Sequence, residues 1–259
     1  MDAAVAAIYR YPVKGLSAEA LDRVGLTVGQ CLPHDRRFAI ALGSTEFDPA
    51  NPTWLSKTHF IMLMRDEALA RLRTRFAPET GVLSIERDGA LLLEAPLGEP
   101  GGARRIARFF DEFMGGAVAG PLRVVEAPGH AFADARPKPN ASTDKYVSLI
   151  NLNSIRELEA RIGAPVEPIR FRANVYFDGL PAWRENEWLG SELTAGGARL
   201  RVVATITRCA ATEVNPATAE RDLDVVKTLW RDFGHNLMGI YAEVMSAGEL
   251  AIGDGITVA

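Results

Sequence analysis

Residues 196–209 have the sequence GGARLRVVATITRC, in which apolar side chains alternate from Leu200 to Ile206 after a Gly-Gly turn. Such alternation over a short stretch is typical of a strand with one buried face. Cys209 follows directly after this strand, at the start of a loop that contains Asn215-Pro216. An Asn-Pro step favours an ordered turn, which suits a loop that presents a side chain. The sequence therefore places a thiol where a buried strand opens into a structured loop.

A thiol at this position allows two interpretations. A lone cysteine after a strand is often a small buried hydrophobic residue. The fixed positive charge of the neighbouring Arg208 instead favours the thiolate, which is both the nucleophile and the ligand of soft metals. We therefore treat Cys209 as a candidate functional residue. We expect Cys31, which lies in a turn-rich stretch, to be structural.

Two basic segments lie elsewhere in the chain. Residues 170–174 (RFRAN) lead into an apolar stretch, and residues 11–15 (YPVKG) follow a short predicted strand. In a strand, successive side chains face opposite ways, so Arg170, Arg172 and Asn174 would share one face. Two guanidinium groups and an amide on one face predict an anion site. Solvated charge on an edge strand is the alternative interpretation.

The composition indicates an ordinary globular enzyme. A chain of 259 residues with 47% hydrophobic side chains can bury one large core or two coupled cores. The net charge of −4 argues against a general nucleic-acid surface. The two cysteines are too few for a disulfide framework, and no closely spaced Cys or His residues predict structural zinc.

The same features suggest where the protein works. The low cysteine content fits a reducing cytoplasm best. Residues 1–15 contain charged residues and no apolar span of membrane length, so we expect them to form the first strand rather than a signal peptide. We therefore expect a cytoplasmic protein without a membrane span.

Periodicity predicts that the chain up to about Gly120 alternates short strands with two helices. The helices are predicted near residues 65–76, where apolar residues have helical spacing, and near residues 104–114. Asp88-Gly89 predicts a hairpin turn between two strands.

The remainder of the chain is predicted to be mostly strands. Residues 128–143 are rich in Pro, Ala and Asp and predict a connecting loop. A single helix is expected to start at Ser154, which has capping-box spacing to Glu157, and to end at Gly163. Together these patterns predict a β-rich α+β fold.

Several short motifs occur in an order and spacing that resemble the MOSC-domain proteins, a family named for the C-terminal domain of molybdenum cofactor sulfurase. The likeness extends over essentially the whole chain, and it is greatest to the two-part MOSC proteins that include the mitochondrial amidoxime-reducing component and its bacterial relatives. The motifs are Tyr11–Lys14, Asp35-Arg36 with Phe38, Arg170–Asn174, Arg208-Cys209, Thr212–Pro216, Phe233–Asn236 and Ile252–Asp254.

The resemblance implies a MOSC β-barrel domain over residues 121–259, packed with an N-terminal β-barrel-like domain over residues 1–120. It further implies a molybdenum cofactor (molybdopterin) bound between the two, with Cys209 as the catalytic residue and protein ligand of the metal. The positions that match the family's cofactor-binding residues are Lys14, Arg36, Arg172, Asn174, Thr207 and Arg208 and, by a looser alignment, Asp144, Lys145 and Tyr146.

By the same resemblance, the protein is expected to be a molybdenum-dependent oxidoreductase. Its substrates would be small N-hydroxylated compounds such as amidoximes, hydroxylamines and N-hydroxylated bases. The chain ends at Ala259 and has no cysteine cluster for an iron–sulfur centre, so we expect electrons to come from a separate protein. A flavoprotein reductase or a cytochrome b5-like or ferredoxin-like carrier would serve.

Three alternatives remain open. In the first, Cys209 carries a persulfide and delivers sulfur, and in the second the protein binds or stores the cofactor without turnover. A hydrolase that uses Cys209 with His235 is the third, although no orienting third residue is recognisable. For His235 itself, the other interpretations are proton transfer at the metal and simple packing at a turn.

Overall fold

The computed structural model describes residues 3–118 and 120–258 of the chain. Its first eight strands are β1 (Ala3–Arg10), β2 (Glu19–Leu21), β3 (Arg23–Leu26), β4 (Phe38–Ala41), β5 (Arg73–Ala77), β6 (Val82–Arg87), β7 (Ala90–Pro96) and β8 (Arg123–Glu126). The others are β9 (Val147–Asn151), β10 (Val175–Asp178), β11 (Glu192–Ala195), β12 (Ala198–Thr207), β13 (Leu237–Ser246), β14 (Gly248–Ala251) and β15 (Gly255–Val258).

The helices are α1 (Pro100–Met114), α2 (Leu152–Ile162) and the short α3 (Val225–Thr228), which continues as a π-helical turn over Leu229–Phe233. Five short 3₁₀ segments are Lys57–His59, Glu67–Arg71, Pro168–Phe171, Arg184–Trp188 and Ala210–Glu213. In the described part of the chain, no helix has both the length and the apolar character needed to cross a membrane.

Seven strands close into a barrel in the order β10-β9-β13-β12-β11-β15-β1, and β1 pairs again with β10. The β10–β9 pair is parallel and the others are antiparallel. Closure pairs both sides of every strand, so the barrel has no open edge. The predicted β-rich α+β fold with a barrel is confirmed.

The barrel interior is an apolar core that explains the alternation in the sequence. Leu200 and Val202 of β12 are at most 1% exposed and pack with residues such as Val5 of β1 and Ile240 of β13. Burying such side chains contributes roughly 1.5–3 kcal/mol each. The apolar residues alternate along the sequence because every second side chain of a strand points into the barrel.

A second core covers one side of the barrel. It forms where the three-stranded sheet β5-β6-β7 and the pair β4-β8 pack with α1. Ile106 and Phe110 of α1 are fully buried there. Gly102 allows the first turn of α1 to approach β7, because a Cβ at this position would lie 2.0 Å from the Pro96 carbonyl oxygen.

The first part of the chain contributes to the barrel as well as to the second core. Strand β1 is one of the seven strands of the barrel, and β3 pairs with β14. Conversely, β8 pairs with β4 in the second core. The division into residues 1–120 and 121–259 stays a prediction.

Two local predictions are wrong. Residues 65–76 form a 3₁₀ turn followed by β5, because Thr74 and Phe76 point inward while Arg73 and Arg75 face solvent, which is strand periodicity. Helix α2 begins at Leu152 with Asn151 as its cap, and Ser154 is a buried residue inside it.

The other local predictions are confirmed. Helix α1 includes residues 104–114, and α2 ends at Gly163 with a φ of 78°. The hairpin turn between β6 and β7 has a φ of 52° at Asp88 and 78° at Gly89. Residues 128–143 contain no helix or strand.

Candidate functional site

A cavity of about 480 Å³ lies between the barrel and the second core. Its walls come from segments far apart in the sequence: the loop after β1, the turn before β4, residues 54–64, residues 132–138, the segment before β10 and the end of β12. The cavity is therefore a product of the packing of both parts of the chain. Its size falls in the range of roughly 300–1,000 Å³ that is usual for small-molecule sites.

Most of the residues expected to bind a cofactor line this cavity. They are Lys14, Arg36, Tyr146, Arg172, Asn174, Thr207, Arg208 and Cys209. Asp144 and Lys145 do not line it. The Asp144 side chain is exposed, and the Lys145 Nζ donates a hydrogen bond to Gln30 Oε1 at 2.8 Å.

Cys209 is half-buried at the end of β12, and Lys57 is its neighbour across the cavity. The Lys57 Nζ donates to the Cys209 Sγ at 3.1 Å. The Cys209 carbonyl accepts hydrogen bonds from the Thr212 backbone N (3.0 Å) and Oγ1 (2.9 Å), which hold the following 3₁₀ turn against the thiol. The Lys57 ammonium therefore places a positive charge directly beside the Cys209 sulfur.

Sequence reasoning missed Lys57. It stands 152 residues before Cys209, in the polar stretch Ser56-Lys57-Thr58, and neither its spacing nor its neighbours distinguish it from a surface lysine. Only the fold brings its side chain to the thiol.

Tyr11 lies between two arginine side chains from different segments. The centre of the Arg36 guanidinium lies 4.3 Å from the Tyr11 ring centroid, and that of Arg172 lies 4.4 Å from it. Such cation–π contacts are attractive, and they are stronger when water is excluded. The Tyr11 hydroxyl donates to the Ala173 carbonyl at 3.1 Å, so the ring is also anchored at its far end.

Both arginines have an unusual backbone, with a φ of 50° at Arg36 and 54° at Arg172. Non-glycine residues in this region are uncommon and are retained where the surroundings hold them. Arg36 Nη2 donates to the Arg172 carbonyl at 2.8 Å, and Arg172 Nη1 donates to the Leu16 carbonyl at 2.7 Å. We refer to Tyr11, Arg36 and Arg172 as the arginine stack.

The predicted common face of Arg170, Arg172 and Asn174 is wrong. Residues 168–171 form a 3₁₀ turn, Arg172 is left-handed, and β10 begins only at Val175, so strand alternation does not apply. Arg170 forms a bidentate ion pair with Asp222 at 2.8 and 2.9 Å.

Asn174 lines the cavity, and both the oxygen and the nitrogen of its side-chain amide form hydrogen bonds to neighbouring segments. Its Oδ1 accepts from the Ser148 Oγ at 2.8 Å and from the Ser148 backbone N at 3.1 Å. Its Nδ2 donates to the Tyr9 carbonyl at 3.2 Å. Asn174 thus positions the segment that carries Arg172.

Arg208 is held by backbone carbonyls. Its guanidinium donates to the Met238 carbonyl at 2.6 and 2.9 Å and to the Phe171 carbonyl at 2.8 Å. Burial lowers the pKa of Arg208 from its ordinary value, but arginine remains charged. The neighbouring Thr207 is exposed at the end of β12, with its side chain on the cavity wall.

Lys14 closes the cavity on the side of residues 132–138. Its Nζ donates to the Phe132 carbonyl at 3.0 Å and forms an ion pair with Asp134. Burial lowers the pKa of Lys14, while Asp134 opposes that shift. The pKa of Asp134 is lowered even though desolvation acts in the other direction, because Lys14 stabilises its carboxylate.

The cavity wall is strongly cationic in a chain of net negative charge. Eight lysine or arginine residues and two aspartates line it. Five of the eight have no carboxylate partner among the described residues: Lys57, Arg136, Lys138, Arg172 and Arg208. This arrangement suits an anionic ligand that meets a thiol.

Neither a metal cluster nor His235 adds to this site. Within the described ranges, no group of three or more His, Cys, Asp or Glu residues could hold a metal ion. The His235 Nδ1 accepts from the Leu237 backbone N at 3.2 Å, and its ring packs against Trp183. His235 does not line the cavity.

The family model of the MOSC domain matches residues 128–257, which is half of the chain. The chain belongs to the MOSC family. The matched region begins in the cavity-lining loop before β9 and includes Arg172, Arg208 and Cys209.

Individual relatives of this MOSC protein are distant. Mitochondrial amidoxime-reducing component 1 of Xenopus laevis is 28% identical over 130 residues, which is 46% of this chain and 36% of that protein. The chain therefore spans about a third of the length of this relative.

Two solved structures of bacterial proteins are similar to this chain at low sequence identity. The YuaD protein of Bacillus subtilis has 15% identity and a TM-score of 0.46, over 100% of this chain and 96% of its own. YiiM of Geobacillus stearothermophilus has 21% identity and a TM-score of 0.35, over 44% of this chain and 53% of its own.

Proposed function

We propose that this MOSC protein binds the molybdenum cofactor in the cationic cavity, with Cys209 as the protein ligand of the metal, and reduces small N-hydroxylated compounds. The observation that carries the proposal is a half-buried thiol on the wall of a cavity that also holds five lysines or arginines with no carboxylate partner in the part of the chain that the structure describes. Membership in the MOSC family and the relative named for amidoxime reduction support the same assignment.

The residues present fit an anionic pterin cofactor. Guanidinium groups of Arg172 and Arg208 can donate paired hydrogen bonds to phosphate oxygens, and Lys138 adds a point charge. A thiolate at Cys209 is a soft ligand of the kind that such a metal centre requires. The cavity volume of about 480 Å³ is large enough for a cofactor of this class.

When bound, the cofactor supplies the two-electron redox chemistry. The overall reaction breaks the N–O bond of the substrate. It consumes two electrons and two protons and yields the N–H compound and one water. The electrons would come from a separate carrier protein, and a cytoplasmic location would suit such a partner.

The chain's own residues would orient and hold the reactants. The Lys57 ammonium fixes the position of the Cys209 Sγ, and the arginine stack places two positive charges at fixed positions on the cavity wall. Lys14 ties residues 132–138 to the loop after β1 through the Phe132 carbonyl and the Asp134 carboxylate. Charges held in this way need little reorganisation during a reaction.

The test is metal content and turnover in protein made in a cofactor-proficient host. We expect molybdenum in the unmodified protein and turnover of an amidoxime with reduced viologen. Cys209→Ser should fold with a loss of about 1 kcal/mol and lose activity, because a hydroxyl is a hard and weakly acidic group. Cys31→Ser is the control and should stay active. Equal activity and metal content in Cys209→Ser and the unmodified protein would refute the ligand assignment.

Sulfur transfer is the second candidate function. The half-buried Cys209 thiol beside the Lys57 ammonium also suits a persulfide, since the sulfur lines the cavity and has a cation next to it. A sulfane-sulfur adduct on Cys209 in protein that lacks molybdenum would favour this alternative.

A further inference from the structure

A second cavity, of about 330 Å³, lies beside the cationic one and differs from it in chemistry. Its wall is mostly aliphatic and includes Leu16, Leu63, Leu72, Ile169, Val214 and Pro216. The volume is enough for an alkyl chain or an aromatic ring. We refer to it as the apolar cavity.

The two cavities share part of their walls. Gly15, Leu63, Arg170, Arg172 and Ala211 line both. Ala211 stands two residues after Cys209, so the shared wall lies close to the thiol along the chain. The two cavities are therefore neighbours, and the segment that follows Cys209 contributes to both walls.

The apolar cavity has walls that are held in place. Residues 210–217 form one side, and residues 63–73 form another. Arg73 Nη2 donates to the Pro216 carbonyl at 2.8 Å. Arg221 joins the same two segments, because its Nη1 donates to the Ala210 carbonyl at 3.0 Å and its Nη2 to the Met64 carbonyl at 2.8 Å.

We propose that the apolar cavity is the binding site for the non-reacting part of the substrate, and that this part is an alkyl or aryl group. This inference rests on the proposed function and names the class of compound within it. The cationic cavity, whose wall carries eight lysine or arginine side chains, suits the anionic cofactor. An apolar group placed in the apolar cavity leaves the N-hydroxylated end of the same molecule at the shared wall near Cys209. Substrates that carry such a group should therefore bind more tightly than small polar ones.

Binding can be measured on cofactor-free protein with straight-chain amides from acetamide to octanamide. Methyl-labelled NMR should show chemical-shift changes at Leu72, Ile169 and Val214 but not at Val258, which lines neither cavity. Affinity should rise about fourfold for each added methylene until the cavity is full, as expected for burial of a CH₂ group. Absence of shifts at the three cavity residues would overturn the inference.

A matched pair of variants tests the location. Ala70 lines the apolar cavity, whereas Ala68 is exposed on the same 3₁₀ turn and does not line it. Ala70→Leu should reduce the gain per methylene to less than twofold, and Ala68→Leu should leave it at about fourfold. Equal dependence on chain length in both variants would also overturn the inference.

The same series separates this inference from the proposed reaction. With cofactor-loaded protein, kcat/KM for straight-chain amidoximes should rise with chain length in parallel with amide affinity. Amide binding without turnover of any amidoxime would refute the reaction and support the apolar cavity as a binding site. Turnover with the same kcat/KM for all chain lengths would support the reaction and refute the assignment of the apolar cavity.

Discussion

The arginine stack makes Tyr11 a test of how the two parts of the chain are held together. Burial raises the pKa of Tyr11 well above its ordinary value, so its hydroxyl stays protonated and donates to the Ala173 carbonyl. Tyr11→Phe removes this hydrogen bond alone, and we expect a loss of about 1 kcal/mol in the free energy of unfolding. Tyr11→Leu also removes the ring on which both guanidinium groups lie.

The additional cost of losing the ring can be worked out from the contacts. The Arg36 side chain is only 16% exposed, and both guanidinium centres lie within 4.4 Å of the ring centroid. Each largely desolvated cation–π contact contributes roughly 1–2 kcal/mol. Tyr11→Leu should therefore cost about 2–4 kcal/mol more than Tyr11→Phe, beyond the ordinary cost of a smaller side chain.

Urea unfolding followed by tryptophan fluorescence measures these differences. Phe110→Leu is the control, because Phe110 is a fully buried ring that contacts other phenylalanines and has no guanidinium partner among the residues that the structure describes. It reports the cost of replacing a ring by leucine in a packed core. If the step from Phe to Leu at position 11 costs no more than Phe110→Leu, the stacked guanidinium groups do not stabilise the fold.

Two further results are expected. Lys57→Met should slow alkylation of Cys209 by iodoacetate about fivefold at pH 7, which is the equivalent of roughly 1 kcal/mol, the usual contribution of a hydrogen bond. Cys31 should stay unreacted, because burial raises the pKa of its thiol to about 12. Equal rates for Lys57→Met and the unmodified protein would show that the 3.1 Å contact has no effect on the Cys209 thiol. Burial acts to raise the pKa of Asp222, but hydrogen bonds from Arg170 lower it below its ordinary value. The stabilising effect of the Asp222 carboxylate is therefore present above the unfolded pKa of about 3.9, and it is lost as the pH falls through the lower folded value. Asp222→Asn should accordingly lower the free energy of unfolding at pH 7, measured by urea titration. It should also make the decrease in that free energy between pH 7 and pH 3 smaller than in the unmodified protein. An equal decrease in both proteins would contradict this account.

The sequence alone indicated that the second part of the chain is mostly strands, and family motifs identified eight of the residues that line the cavity. Alternation in β12 identifies a buried strand, because the side-chain period of two is a property of the strand itself. Arg208 and Cys209 follow that strand directly, so their place at its end is also a local matter. Arg36 and Arg172 were recognised by motif, and both line the cavity.

Local patterns were misleading where two periodicities fit the same residues. Leu69, Leu72 and Phe76 have helical spacing. The chain nevertheless forms a 3₁₀ turn and then β5, because pairing with β6 stabilises the strand. Similarly, Arg170 and Arg172 would share a face in a strand. The left-handed conformation at Arg172 instead sends them to different partners, and no single-residue propensity predicts this for an arginine.

Only the tertiary structure decided which distant groups meet. Lys57 reaches the Cys209 thiol across 152 residues, and the ring of Tyr11 separates Arg36 from Arg172, which is 136 residues further along the chain. The physical reason is that periodicity records which side of an element is buried, whereas barrel closure and the packing of the second core fix which elements become neighbours. The chemistry of each side chain is thus local information, and the composition of the cavity is a property of the folded chain.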